Sequence, residues 1–434
     1  MLSTRREFLR HTIIGAATAA SVPGFISNTF AAEGDAIRDK ATQANTGKDG
    51  EILVIVQLGG GNDGLNTVIP HNNDEYYKNR PTLARKGAGL NKITEDLSLN
   101  SNLKFVSSLY DEGQLGIVQG VGYPNPNRSH FRSTEIWETA TDSNGVSDTG
   151  WIGRYFDAAC AGEDPTVGIA LRKNQPQSFG AKKLPGVSLD APELYRWLHG
   201  GGEQAEAERL FAEINSPETP MSGASITEVD GGMVGGRAGE SNLEFLERVA
   251  LDARVSSKEI LRVASKYKSS VPYEGFPLAR SLSLVSSMIA GGMPTRIYYV
   301  SHGGFDTHNN QAPSHDRLMT QLDSALKSFV TDLRKQGNDD RVTVMTFSEF
   351  GRRVKENQNK GTDHGAAAPL FVMGKPVTAG IYGEHPSLTD LYRGDLKFTT
   401  DFRSVYATVL EDFLKSPSKP VLGRDFDKLK LFGV

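Results

Sequence analysis

The chain has 434 residues, with 48 Lys and Arg against 52 Asp and Glu, a formal net charge of −4. A hydrophobic share of 38% beside 23% charged residues supports a large core and excludes disorder of the whole chain. With no basic excess, nucleic acid is not expected as a partner. Cys160 is the one cysteine, so an intrachain disulfide and a thiolate metal cluster are excluded and any metal must be held by His, Asp, Glu or Asn.

The first residues read as a targeting segment. Thr4-Arg5-Arg6-Glu7-Phe8-Leu9-Arg10 precedes an uncharged, mildly apolar stretch from His11 to Ala32, the pattern of a bacterial twin-arginine export signal. Small residues at Thr29 and Ala31 suit cleavage after Ala31, which gives a signal peptide over 1–31 and a polar linker over 32–50. The apolar run is too short and too glycine-rich for a secure membrane anchor, and no later stretch is long enough for one. The expectations are a periplasmic or extracytoplasmic location, the twin-arginine translocation machinery as a partner, and no stable membrane span after cleavage.

A single α/β domain with an insertion is expected over 51–434. Ile52–Leu58 is a run rich in β-branched residues, the pattern of a strand buried on both faces. Ser101–Glu112 has helical spacing, and Leu115–Val121 reads as a second buried strand, so a parallel sheet is expected. From about Lys173 to Tyr273 come Gly-, Pro- and Ser-rich loops, with a charged amphipathic helix near Glu240–Lys268 and a glycine-rich crossing loop at Asp230–Gly239. The insertion is placed at about 173–290 and read as largely helical. The α/β rhythm then resumes with strands at Arg296–Val300, Arg341–Phe347 and Pro369–Gly374, and helices at Ser314–Gln336 and Asp401–Leu414.

Polar residues gather after these strands, where open α/β sheets keep their functional crevice. Asn62, Asp63 and Asn66 follow the first strand, and Arg128-Ser129-His130 follows the second. His302, Asp306, His308 and His315 follow the strand ending at Val300. Ser348, Glu349, Arg352 and Arg353 follow Phe347, with Asp363 and His364 close behind; five of the nine histidines lie in these clusters. Each has a plainer reading. Asp63 suits a turn and Asp363 an Asx turn, Ser129 suits a helix N-cap as well as an anion site, Glu349 suits an ion pair with Arg352 or Arg353, and His315 suits the start of the next helix. Asp306-Thr307-His308 is a stronger metal signal, because a carboxylate and an imidazole on a glycine-rich loop suit hard-to-borderline divalent ions, and its plainer reading is a hydrogen-bonded loop.

The segments LGGGNDGLNTVIP (58–70), NRSHF (127–131), TGWIGRYFD (149–157), GGFDTHNNQ (303–311), TFSEFGRR (346–353) and GTDHG (361–365) resemble the twin-arginine-exported family filed as domain of unknown function 1501. That family is regarded as a sulfatase-like branch of the alkaline phosphatase superfamily. The resemblance implies a doubly wound α/β sheet of alkaline-phosphatase/sulfatase type, with helices on both faces. It implies one or two divalent ions (Zn, Mn, Mg or Ca) and an anionic phosphate or sulfate ester as substrate. By position it gives Asp63, Asp306, His308, Glu349 and His364 as metal ligands, joined by Asp363, with Ser129 as nucleophile. His130 would protonate the leaving oxygen, while Arg352 or Arg353 would offset charge on the transferring group. The chain departs from the superfamily pattern at Phe350, which stands where a ligand histidine is expected, so one metal site should be incomplete. No Cys-x-Pro-x-Arg element is present, which excludes a formylglycine sulfatase. The rival to a hydrolase is a non-catalytic periplasmic binding or assembly protein that keeps the fold.

Overall fold

The computed structural model describes residues 47–48, 50–160, 164–189 and 259–433. The expected signal peptide, most of the linker, the glycine-rich loop at 230–239 and the amphipathic helix before residue 259 lie outside them.

The sheet is built around Ile52–Gly59 (β1), an almost wholly buried strand. It pairs in parallel with Ile297–Gly303 (β5) on one side and Val342–Phe347 (β6) on the other. The remaining strands are Leu115–Gly122 (β2), Gly168–Ala170 (β3), Val187–Ser188 (β4), Ala368–Met373 (β7), Gly380–Tyr382 (β8) and Thr400–Asp401 (β9). They complete a nine-stranded sheet in the order β8-β2-β7-β6-β1-β5-β3-β4, with β9 also paired to β2. Among the described strands β7 runs against its neighbours β2 and β6, and every other pair in this sheet is parallel. The uniform parallel rhythm expected from the sequence is thus broken at Pro369–Gly374, because a short hairpin leads straight back into the sheet instead of a helical crossover.

Strand alternation sends side chains to two helical layers. Ile52, Val54, Val56 and Leu58 face a core closed by Lys104–Asp111 (α1), Pro277–Ala290 (α4) and Gln311–Gln336 (α5). Leu53 and Ile55 face the opposite core, closed by His130–Thr139 (α2), Trp151–Ala159 (α3) and Phe402–Thr408 (α6), which runs on as a π-helical turn over Val409–Phe413. Each of these fully buried aliphatic side chains stabilises the fold by roughly 1.5–3 kcal/mol. The architecture is a mixed α/β sheet covered on both faces. Two pieces of the stretch read as an insertion belong to it: β4 extends the sheet edge, and α4 lays Leu278, Leu282, Val285, Met288 and Ile289 into the first core. No helix among the described residues is long and apolar enough to cross a membrane.

Candidate metal centre

The glycines after β1 set the geometry of the strand ends. Gly60 has φ +117°, and a Cβ there would lie 2.4 Å from the Asp306 amide nitrogen. Gly61 has φ +81°, and its Cβ would lie 2.4 Å from the Phe350 ring. Only glycine permits both the backbone turn and this approach. The Gly60 amide donates to Glu349 Oε1 at 2.9 Å, and the Phe305 amide donates to the Gly59 carbonyl at 3.1 Å, so the β1, β5 and β6 ends are locked to one another.

Arg352 completes the lock. It is 1% exposed. Its Nε donates to the Gly61 carbonyl at 2.7 Å and its Nη1 to the Thr362 carbonyl at 2.8 Å. Its Nη2 reaches the carbonyls of Gly60 and Phe305 and donates to Asp306 Oδ1 at 2.7 Å. Every arm of the guanidinium is therefore engaged inside the protein. Burial works against the Asp306 carboxylate, but the bonds from Arg352 and His364 outweigh it and hold its pKa at about 2. Arg352 positions Asp306; it does not face an incoming ester.

Three histidines converge on that carboxylate. His308 Nε2 and His364 Nε2 each lie 3.1 Å from Asp306 Oδ1 and 2.9 Å from each other. His130 Nε2 lies 3.5 Å from Asp306 Oδ2, and ligand atoms of His130, Asp306 and His364 fall within 4.8 Å of one another. Behind each ring stands an oxygen acceptor. Glu349 Oε1 is 2.8 Å from His130 Nδ1, Asp363 Oδ1 is 3.3 Å from His308 Nδ1, and the Arg128 carbonyl is 2.8 Å from His364 Nδ1. With Nδ1 engaged by an oxygen acceptor, each ring turns its Nε2 toward Asp306. Imidazoles pinned through Nδ1 to a carboxylate or carbonyl are the usual dress of metal-binding histidines. Separations near 3 Å are what donor atoms show around an ion with bonds of about 2.0–2.2 Å. The donor set fits one divalent ion.

The sequence-derived ligands divide accordingly. Asp306, His308 and His364 meet directly. Glu349 and Asp363 stand behind His130 and His308 and orient them, and Glu349 pairs with His130 rather than with Arg352 or Arg353. Asp63 is drawn elsewhere: its buried Oδ2 takes Arg80 Nη1 at 2.6 Å and the Gln311 amide, while Oδ1 has no hydrogen-bond partner among the described residues. Burial alone would raise the Asp63 pKa, and Arg80, His315 and Gln311 together bring it below the ordinary value. A guanidinium occupies the position beside Asp63 that a second cation would need. Arg80 was missed by sequence reasoning; its approach from the helix after residue 73 has no local sign.

Ser129 sits at the N-cap position of α2, yet its side chain makes no capping bond and the residue is exposed. His130, the next residue, is in the cluster, with its ring 4.9 Å from Phe350 and 4.4 Å from His364. Phe350 also packs 4.6 Å from His364 and is 2% exposed. It thus forms an apolar wall where a further ligand was expected. The cluster stays open on one side: side-chain exposures are 34% for His130, 44% for His308 and 48% for Asp306.

Residues 283–421 match the family model described as "Protein of unknown function (DUF1501)", so the motif resemblance is borne out over that stretch. Among curated proteins, no match to the sequence is found. The chain is similar to a sulfatase from Pseudoalteromonas sp., at 11% identity and TM-score 0.37, covering 91% of this chain and 73% of that one. It is similar to a protein in the alkaline phosphatase superfamily from Vibrio parahaemolyticus, at 10% identity and TM-score 0.36, covering 88% and 71%. It is also similar to alkaline phosphatase from the Antarctic bacterium TAB5, at 13% identity and TM-score 0.32, covering 77% and 95%. At these scores the likenesses carry no argument about chemistry.

Proposed function

We propose that this protein is an exported hydrolase of phosphate or sulfate esters that works with one divalent ion. The observation that carries the reading is the set of three imidazoles, each pinned through Nδ1 and turned through Nε2 to Asp306, with Ser129, whose hydroxyl makes no capping bond, next to His130 in the chain. His308, His364 and Asp306 would hold the ion, with His130 within reach of the same group. When bound, the ion supplies Lewis acidity that polarises the ester and lowers the pKa of a nearby hydroxyl.

The chain's own residues do the remaining work. Ser129 attacks phosphorus or sulfur through Oγ, and the bond to the leaving oxygen breaks. His130, oriented by Glu349, takes the Ser129 hydroxyl proton at Nε2 as Oγ attacks and passes it to the leaving oxygen. Water then attacks the phospho- or sulfo-serine, His130 Nε2 takes its proton, and the same proton returns to Ser129 Oγ as that bond breaks. Arg352 keeps Asp306 ionised and aimed throughout. The Asp63–Arg80 pair favours one ion over two, because Asp63 already has its countercharge.

The test is a panel of 4-nitrophenyl phosphate, bis(4-nitrophenyl) phosphate and 4-nitrophenyl sulfate, assayed with Zn, Mn, Mg and Ca. Turnover should be abolished by a chelator and fall roughly 100-fold or more in Ser129→Ala. Metal retained without turnover of any ester would favour the non-catalytic periplasmic binding protein instead.

A further inference from the structure

A buried carboxylate not used above, Asp395, draws two guanidiniums. This carboxylate is 1% exposed, and burial pushes its pKa upward. Arg128 grips Oδ2 through Nε at 2.7 Å and Nη2 at 2.5 Å. Arg353 Nε lies 3.4 Å from the other oxygen, Oδ1. The one buried carboxylate thus faces two guanidiniums, whose side chains are 34% and 36% exposed. Among the described residues no hydrogen bond engages Nη1 of Arg128 or either Nη of Arg353. Arg128 alone would satisfy Asp395. A second guanidinium drawn to the same buried anion adds repulsion between cations that an arriving oxyanion would relieve.

The pair also stands beside the candidate metal centre. The Arg128 carbonyl receives His364 Nδ1, and Arg353 directly follows the residue that positions Asp306. Asp363, which orients His308, has its carboxyl lowered first by the Asn357 hydrogen bond and, less strongly, by His308 and the Arg353 charge. The two guanidiniums therefore flank the cluster without belonging to it. Planar N–H forks suit oxyanions in bidentate geometry, and a buried carboxylate fixes their orientation.

We propose that Arg128 and Arg353, held by Asp395, form a subsite for a second anionic group of the substrate, a sulfate, phosphate or carboxylate remote from the ester that reacts. The assignment rests on the ester-hydrolase reading, and it narrows the substrates to polyanionic esters. It is tested by calorimetric titration of the mature, metal-loaded protein with inorganic sulfate. Arg353→Gln leaves the close Arg128–Asp395 contacts in place, and should weaken sulfate about tenfold without changing metal content. Arg353→Lys should fall between the two, since it restores charge but not the fork. Equal sulfate affinity in the parent and Arg353→Gln would overturn the subsite. A second arm compares kcat/KM for an aryl ester with and without an added sulfonate. The ratio should favour the sulfonated ester in the parent and drop toward one in Arg353→Gln; a ratio unchanged by the substitution would also overturn it. Absence of turnover with either ester would count against the hydrolase reading, while the sulfate titration would still decide the subsite.

Discussion

Ser129 and His315 are opposite cases of burial and partnership. Ser129 holds the capping position but makes no capping bond, so Ser129→Ala should shift stability by no more than about 0.5 kcal/mol while removing turnover. A loss near 1 kcal/mol with no specific effect on turnover would return the residue to an ordinary cap. His315 is the opposite case. It is 0% exposed, with Nε2 3.2 Å from Asn62 Oδ1 and Nδ1 unpartnered among the described residues. Burial pushes its pKa down to about 4, with Arg85 and Arg80 adding to the effect and Asp63 and Asp316 opposing it. An unfolded histidine titrates near 6.5, so between that pH and about 4 the unfolded chain binds a proton that the folded chain refuses. Stability from this group is therefore present above pH 6.5 and lost as pH falls, by up to about 3 kcal/mol. Urea midpoints at pH 7, 6 and 5 should fall less steeply in His315→Gln than in the parent; parallel slopes would show that His315 does not govern the acid loss.

The elements place the site through glycine and arginine rather than through the strands alone. The turn after β1 should not tolerate Gly60→Ala, because φ is +117° and the new Cβ would meet the Asp306 amide nitrogen at 2.4 Å. A cost of at least about 2 kcal/mol and a fall in bound metal are expected. Gly303→Ala, with nothing within 4 Å of the new Cβ, is the control and should change neither. The buried strands β1, β2 and β6 were legible in the sequence because continuous β-branched runs have few other uses. Strands β3 and β4 were not, since two or three residues carry no period. Helix α4 was absorbed into the insertion because its Pro277 start follows a loop-rich stretch, although its buried face belongs to the main core. For the site, strand-end position gathered Asp306, His308 and His364, whose side chains meet in the structure. It gave no sign that Glu349 and Asp363 stand behind His130 and His308 instead of facing Asp306. Nor could it foresee Arg80 at Asp63, a contact made across 17 residues with no local pattern.

At the scale of the whole molecule, eight parallel or parallel-aligned strands and one reversed strand bring four strand ends to one crevice. The charge there is arranged as a single centre, with Asp306 shared by three histidines and Asp63 countered within the protein. The proposed export belongs to this scale as well. Replacing Arg5 and Arg6 together by Lys should hold the precursor in the cytoplasm, because the receptor reads paired guanidiniums; fractionation showing unimpaired mature protein outside the cytoplasm would refute that. The central claim is one divalent ion held by Asp306, His308 and His364. Elemental analysis of the purified mature protein, beside a His308→Ala, His364→Ala double variant, tests it most directly. The account predicts about one equivalent of a divalent metal per chain in the parent and less than about a tenth in the folded double variant. A parent with no metal or with two equivalents, or a double variant that keeps the full complement, would contradict it.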